Sequence, residues 1–280
     1  MSSVAVATCA GDDVDPDSGP LLDALASEGL EGELCVWDDP AVDWSRFDLV
    51  VVRSTWDYAP RRAEFLAWAR SVARIANPYR VLEYSSDKHY LADLAARGHA
   101  TVPSLFCDVG ASPAFPSGDF VVKPCVGAGS LDAERYRFDE HERAAAHVAR
   151  LHAIGRDALI QPYVASVDEV GERALVFVDG SFSHAMTKAA MLNVASLDRN
   201  ALFRREQMSV ATGEPDAVAF ASNVLEDGGF GGLLYGRVDV VRLDGRWAVM
   251  ELELVEPSLF LTYRPEAATT LARAVARRVA

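Results

Sequence analysis

No stretch of this sequence is apolar for long enough to cross a bilayer. Asp, Glu, Arg or Lys interrupts every candidate well short of the roughly 20 residues a spanning helix needs. The short apolar stretch Val4–Ala7 has no basic region before it and reads as a first strand, not a secretion signal. Cysteine is scarce and scattered: Cys9, Cys35, Cys107 and Cys125 form no C-x-x-C pair, which excludes a zinc knuckle or a compact disulfide framework and suits a reducing cytoplasm. Basic charge is in deficit as well. The 27 Lys and Arg against 41 Asp and Glu leave a formal net charge of −14, which repels nucleic acid or an anionic membrane over most of the surface. Any phosphate chemistry must then use a local positive pocket. There is no internal repeat and no low-complexity tract.

Half of the 280 residues are hydrophobic, enough for a substantial core and about two domains by length. Residues 1–84 alternate strands (Val4–Thr8, Leu34–Trp37, Leu49–Val52) with helices (Leu21–Ala26, Arg61–Arg74), which predicts a small parallel α/β sheet. Residues 85–162 open with a helix capped by Ser86 or Asp87 and carrying Lys88, Leu91 and Leu94. They continue through strand Phe120–Pro124, a flexible Val126–Ser130 stretch, helix Glu140–Leu151 and strand Ala158–Gln161. Residues 163–280 look antiparallel: Arg173–Val178 with Phe182–Thr187 around Asp179-Gly180, and Gly236–Val241 with Trp247–Leu254 around Asp244-Gly245, plus helices Ala217–Leu225 and from Glu266 onward, an α+β body.

The second hairpin carries the most chemistry. On a strand, Glu251 and Glu253 share one face while Met250, Leu252 and Leu254 point to the other, into the core. A three-residue turn, Asp244–Arg246, would pair 239 with 251 and 237 with 253, bringing Asp239, Glu251 and Glu253 to one face beside Arg237. A two-residue Asp-Gly turn would shift the register and send Asp239 to the opposite face. Crowded carboxylates repel unless neutralised, and hard oxygen donors suit Mg²⁺ or Mn²⁺, although a solvent-facing polar stripe gives the same pattern.

Other residues point the same way. Lys123 ends an apolar strand, where a charge is expensive without an anionic partner. Gly127-x-Gly129-Ser130 can bring backbone N–H groups to phosphate oxygens, but it matches neither the P-loop nor the Rossmann pattern and is equally a flexible turn. Gln161-Pro162-Tyr163-Val164 leaves a strand into a connection that could read an adenine edge, or is simply a strand stopped by proline. Lys88 near a helix start sits against the dipole, which hints at a bound anion. Arg53, Thr55, Trp56, Asp57 and Tyr58 follow buried strand Leu49–Val52, where ligands gather in α/β sheets; packing between domains competes as an explanation. His184 is either a proton-transfer residue or a histidine hydrogen-bonded at the edge of the core.

The order of these pieces from Lys88 to Pro257 resembles the ATP-grasp superfamily, which implies an ATP-grasp fold with an N-terminal Rossmann-like pre-ATP-grasp domain. The resemblance implies that Lys88, Lys123 and Gly127–Ser130 grip the ATP phosphates and that Gln161–Val164 form the adenine hinge. It also implies that Asp239, Glu251 and Glu253 hold two magnesium ions and that Arg173 and Lys188 stand near the transferred phosphate. The spacing matches the ribosomal-protein glutamate ligase branch, with Glu253 in place of its Asn. A narrower resemblance is to the O-ureido-D-serine cyclo-ligase family of the D-cycloserine pathway and its actinobacterial relatives. It is carried by Arg53-Ser54-Thr55-Trp56-Asp57-Tyr58, Asp87-Lys88-His89-Tyr90-Leu91, Val121-Val122-Lys123-Pro124, Gln161-Pro162-Tyr163, Ser183-His184-Ala185 and Glu251–Phe260. Cys125, Tyr84-Ser85-Ser86 and the stretch 189–203 depart from it.

The implied reaction is phosphorylation of a substrate carboxylate or carbonyl oxygen by ATP, then attack of a nitrogen on the acyl phosphate. The implied substrate is a small amino-acid-like molecule. Three readings stay open: a cyclo-ligase, an intermolecular amino-acid or peptide ligase, and a non-catalytic ATP-binding module. The sequence leaves a homo-oligomer open.

Overall fold

The computed structural model describes residues 1–11, 15–189 and 208–280, so most of the divergent stretch 189–203 lies outside the described residues. In chain order the elements begin with β1 (Ser3–Thr8), α1 (Ser18–Ser27), β2 (Glu31–Val36), β3 (Leu49–Val52), a 3-10 segment Trp56–Arg61, α2 (Arg62–Ser71) and β4 (Ile75–Ala76). The strands form a parallel sheet in the order β2-β1-β3-β4. All four residues of β3 are buried because both faces of a parallel sheet are covered. Val50 and Val52 face α2, and Leu49 and Val51 face the other core.

Two short helices follow, α3 (Tyr79–Ser85) and α4 (Tyr90–Ala96). The expected cap at Ser86 or Asp87 is not where the second helix starts: α4 begins at Tyr90, and Lys88 lies in the turn between the helices. There its N–H donates to the Cys125 carbonyl at 2.9 Å. The second sheet is antiparallel, in the order β5-β8-β6-β7, from β5 (Leu105–Cys107), β6 (Phe120–Pro124), β7 (Glu134–Tyr136) and β8 (Ala158–Pro162), with α5 (His141–Ala153) on one face. The remaining elements are α6 (Ser166–Val170), β9 (Glu172–Val178), β10 (Ser181–Lys188), β11 (Met208–Ala211), α7 (Pro215–Asp227), β12 (Tyr235–Leu243), β13 (Arg246–Glu253) and α8 (Pro265–Val279). Their strands make a third, antiparallel sheet ordered β11-β10-β9-β12-β13.

The amphipathic α8 is the wedge between the first and third sheets. Its Ala267, Ala268, Leu271, Ala272 and Val275 pack with Val4 and Val6 on one side and Ala174, Val176 and Val178 on the other. The alanines let the helix approach both sheets closely, and truncating fully buried Leu271 to Ala would cost about 2–5 kcal/mol. On the opposite face of the third sheet, α7 covers Leu175, Val238, Val240 and Leu252.

The outer edge of β13 is closed by groups from other elements, so its backbone is not left unpaired. The Leu252 N–H donates to the Tyr90 hydroxyl at 2.9 Å, and the Ser85 hydroxyl donates to the Leu252 carbonyl at 2.8 Å. Buried Asn77 donates to the carbonyls of Tyr235 and Leu254, both at 2.9 Å. These contacts fix the first sheet and the α3–α4 segment against the strand that carries Glu251 and Glu253.

Candidate active site

A cleft of about 850 Å³ opens where the three sheets meet, lined among others by Trp56 and Tyr58, Lys123 and Gln161, and Glu251 and Glu253. The β12–β13 hairpin sets its floor. The turn is the two-residue one: Leu243 pairs with Arg246, and Asp244 and Gly245 have φ of 49° and 76°, as a type I′ turn requires. That turn alone would place Asp239 opposite Met250. A β-bulge intervenes between Asp239 and Val240, so Val240 pairs with Val249, Met250 is the extra residue, and Asp239 lies opposite Glu251 with Arg237 opposite Glu253. The expected three-residue turn is therefore corrected, yet the facing of the carboxylates arises by another route. Met250 is corrected too: it lines the cleft, while Leu252 and Leu254 enter the core.

Asp239, Glu251 and Glu253 each offer a carboxylate oxygen within 4.8 Å of the others. Arg237 grips Asp239 through Nε at 2.8 Å and Nη2 at 2.9 Å and reaches Glu253 at 2.6 Å. Lys188 Nζ lies 2.9 Å from Asp239 and 2.8 Å from Glu172, and Lys123 Nζ lies 2.7 Å from Glu251. Burial alone would raise every one of these acids. Lys123, Lys88 and Lys188 outweigh burial at Glu251 and hold it well below the usual carboxylate range, and Arg237 and Lys188 do the same for Asp239. The cations do not suffice for the rest: burial, with Asp239 and Glu251 nearby, pushes Glu253 up to about 7 and Glu172 up to about 8. Three converging carboxylates with hard oxygen donors on one face, two of the four acids here raised despite the cations, fit a divalent cation of the Mg²⁺ type.

The turn between α3 and α4 brings Lys88 beside the end of β6, where its Nζ donates to the Gly127 carbonyl at 3.0 Å. Gly127, Gly129 and Ser130 line the cleft, and the loop takes positive φ at Gly129 (59°) and Ser130 (56°). Val126 and Ala128 in the same loop pack against the first sheet's core. At the far end Gln161, Tyr163 and Val164 line the cleft: Gln161 donates to the Ser104 hydroxyl at 3.0 Å, the Arg135 guanidinium stacks on Tyr163 at 3.5 Å, and Val164 packs with Val241 and Met250.

Several expected residues lie elsewhere. Arg173 is on the α7 side of β9, bound to Glu214 at 3.1 Å and to Thr187 at 3.0 Å, because alternation along the strand sends Glu172 to the cleft and Arg173 away from it. His184 is buried, its Nε2 at 2.9 Å from the Leu259 carbonyl and its Nδ1 at 2.9 Å from Ser183. Burial lowers its pKa, so it is a neutral hydrogen-bonding core residue away from the cleft. Arg53 is 2% exposed and donates to the Pro257 carbonyl at 2.9 Å, a tie between the first sheet and the segment after β13. Thr55 is fully buried, and Asp57 is bound to Trp37 and Arg61. Of that group only Trp56 and Tyr58 line the cleft. Arg237, Glu172 and Glu256 line it without having been assigned roles from the sequence.

Residues 4–77 match a family model described as D-cycloserine synthetase DcsG, N-terminal domain. The cycloserine biosynthesis protein DcsG of Streptomyces lavendulae is 43% identical, with 95% of each chain covered. The crystal structure of D-cycloserine synthetase DcsG superposes with a TM-score of 0.88 at 38% identity over 100% of both chains. The ATP-grasp ligase PsnB, complexed with a precursor variant, Mg and ADP, shares the fold at a TM-score of 0.63 and 15% identity, covering 100% of this chain and 99% of PsnB. The chain therefore belongs to the D-cycloserine synthetase (DcsG) family of ATP-dependent ligases with the ATP-grasp fold.

Proposed function

We propose that this chain is a cyclo-ligase acting on an O-ureido-D-serine-like amino acid in cycloserine biosynthesis, using Mg-ATP held in the cleft. The observation that supports it best is the convergence of the Asp239, Glu251 and Glu253 carboxylates within 4.8 Å of one another, each held by a cation from Lys123, Lys188 or Arg237, a degree of charge crowding that nucleotide binding alone does not need. Residues 1–84 would select the substrate, residues 85–162 form the small nucleotide lobe and residues 163–280 the lobe with the metal site.

In this reading Lys88, Lys123 and the backbone of Gly127–Ser130 hold the phosphates, and Gln161, Tyr163, Val164 and Met250 hold the adenine. Asp239, Glu251 and Glu253 would hold Mg²⁺, which when bound supplies charge neutralisation at the phosphoryl oxygens. Lys188 and Arg237 are pre-oriented by buried carboxylates, so they can face the charge that develops as phosphate passes to the substrate carboxylate without reorganising. The packing of Val126 and Ala128 on the first sheet's core places the glycine loop over the cleft, where it shields an acyl phosphate from water. A nitrogen of the same substrate then displaces phosphate and closes the ring. No described helix is long and apolar enough to span a membrane, and all four cysteines are free and buried, so we place the enzyme in the cytoplasm.

The test is ADP release with Mg-ATP and O-ureido-D-serine, followed by mass analysis of the product. ADP and a cyclised product of one substrate molecule are expected. A product joining two amino acids would replace cyclisation by intermolecular ligation. Tight ATP binding without amino-acid-dependent turnover across amino and ureido amino acids would leave only a binding module.

A further inference from the structure

Glu256 lines the cleft three residues beyond Glu253, on the segment that leaves β13. The cleft's basic side chains are engaged by other groups. Lys88 donates to Gly127, Lys123 pairs with Glu251, Lys188 with Glu172 and Asp239, and Arg237 with Asp239 and Glu253. Two further acids border the same end of the cleft and are also occupied. Asp17 accepts from the Thr262 N–H at 3.1 Å, while Asp15 accepts from the Asp17 N–H at 3.0 Å and stands 3.8 Å from Arg53. Among the described residues Glu256 alone of these acids has no ion pair and no side-chain hydrogen bond to another residue.

Its surroundings locate it. The Tyr235 hydroxyl on β12 lies 2.6 Å from the Val52 carbonyl and 2.9 Å from the Val255 carbonyl, which pins the residue before Glu256 to the end of β3, and the Glu256 charge adds to burial in raising the phenols of Tyr58 and Tyr235, so the carboxylate stands where the first sheet meets the third. Burial and then Glu253 push its own carboxyl up to about 8. Lys88 and Arg237 only partly offset that burial; a partly buried acid without an ion pair is a cost to the fold, and a ligand that brings a further positive charge removes that cost.

We propose that Glu256 is a specificity residue that binds the ammonium group of the amino-acid substrate, with the substrate carboxylate directed toward Lys188, Arg237 and the metal triad. The inference rests on the ligase reading of the cleft and narrows its substrate class to amino acids with a free α-ammonium. A charge-assisted hydrogen bond of this kind is the interaction at stake.

Glu256→Gln tests it. No partner is lost, so the variant folds and binds ATP as the wild type does, which a nucleotide titration verifies. With O-ureido-D-serine its KM rises about 10- to 100-fold, with the KM for ATP unchanged and kcat within about threefold. Glu256→Asp, which keeps the charge, recovers part of the loss. The des-amino analogue of the substrate is used equally poorly by wild type and Glu256→Gln. An unchanged KM overturns the proposal. So does a fall in kcat alone, or an equal further loss with the des-amino analogue. Calorimetric titration of O-ureido-D-serine into protein saturated with a non-hydrolysable ATP analogue reads the same contact without turnover. Wild-type binding there without ADP release would sink the ligase reading, while equal affinity of wild type and variant would sink the role of Glu256.

Discussion

The ion pair between Lys123 and Glu251 joins the second sheet to the third across the cleft, at 2.7 Å with side chains 12% and 21% exposed. Glu251→Gln would leave the lysine facing an amide. Breaking a buried pair costs about 3–5 kcal/mol, and the solvent that reaches this one lowers the expected loss to roughly 2–3 kcal/mol. For a chain of this size about 2–4 °C accompanies each kcal/mol, so Tm should fall by roughly 5–10 °C. Turnover falls for a separate reason, the loss of a proposed metal-binding carboxylate, and by at least about 10³-fold, or about 4 kcal/mol. The double variant Glu251→Gln/Lys123→Met separates the two effects. Replacing a buried pair by neutral groups is close to neutral for stability, so thermal unfolding should return to within about 1 kcal/mol of wild type, while a coupled ADP assay stays at background. Wild-type turnover in Glu251→Gln would refute the metal assignment, and a double variant no more stable than Glu251→Gln would refute the electrostatic account of its stability.

Three further outcomes follow from the same structure. Arg173→Ala should cost about 1–2 kcal/mol of stability through its lost hydrogen bonds yet keep kcat within about threefold, whereas Arg237→Ala should abolish ADP release; a catalytic loss in Arg173→Ala equal to that in Arg237→Ala would return Arg173 to the site. Because burial lowers the folded-state pKa of His184, the unfolded chain takes up a proton near its ordinary 6.5 while the folded chain resists it, so this contribution to stability is lost as pH falls below about 6.5. His184→Gln should flatten the loss of stability between about pH 7.5 and 5.5, and parallel pH profiles of unfolding would contradict this. Deleting Met250 should leave Asp239 opposite Glu251, so ADP release should persist with the KM for ATP raised about tenfold by the lost apolar contact; complete inactivity would contradict the register.

Much of this was legible in the sequence because strong local patterns coincide with tertiary positions. The unbroken β3, the charged end of apolar β6 and the two Asp-Gly turns each follow from period and turn chemistry. The α3 helix and the start of α4 were not legible. The chain there is positioned by contacts distant in sequence: the Cys125 carbonyl holds the Lys88 N–H, and Ser85 and Tyr90 complete the β13 edge. Arg173 is expected at the site from the resemblance and Arg53 from its place after β3, with packing as the alternative, and neither signal tells whether the partner of a guanidinium is a ligand, Glu214 or the Pro257 carbonyl.

The two hairpins of the third sheet show what a pattern of alternation leaves out. Both close with two-residue turns at positive φ, Asp179-Gly180 and Asp244-Gly245, whose twist suits the strands. Continued regularly, those turns would pair 172 with 187 and 239 with 250 and put the charges of one strand on the wrong face. Each returning strand instead holds one extra residue, Ser183 or Met250, and the phase of alternation reverses there. Before the extra residue Phe182, Trp247 and Val249 pack toward α7. After it Ala185, Leu252 and Leu254 do so, freeing Lys188, Glu251 and Glu253 for the cleft. The bulge is thus the device by which one hairpin serves a hydrophobic core near its turn and a charged site near its base. Its trace in the sequence is faint, because Trp247, Ala248, Val249 and Met250 are apolar in an unbroken run and strict alternation begins only at Glu251. The bulge is therefore set by which side chains must reach the core and which the cleft, and a choice between two- and three-residue turns overlooks it.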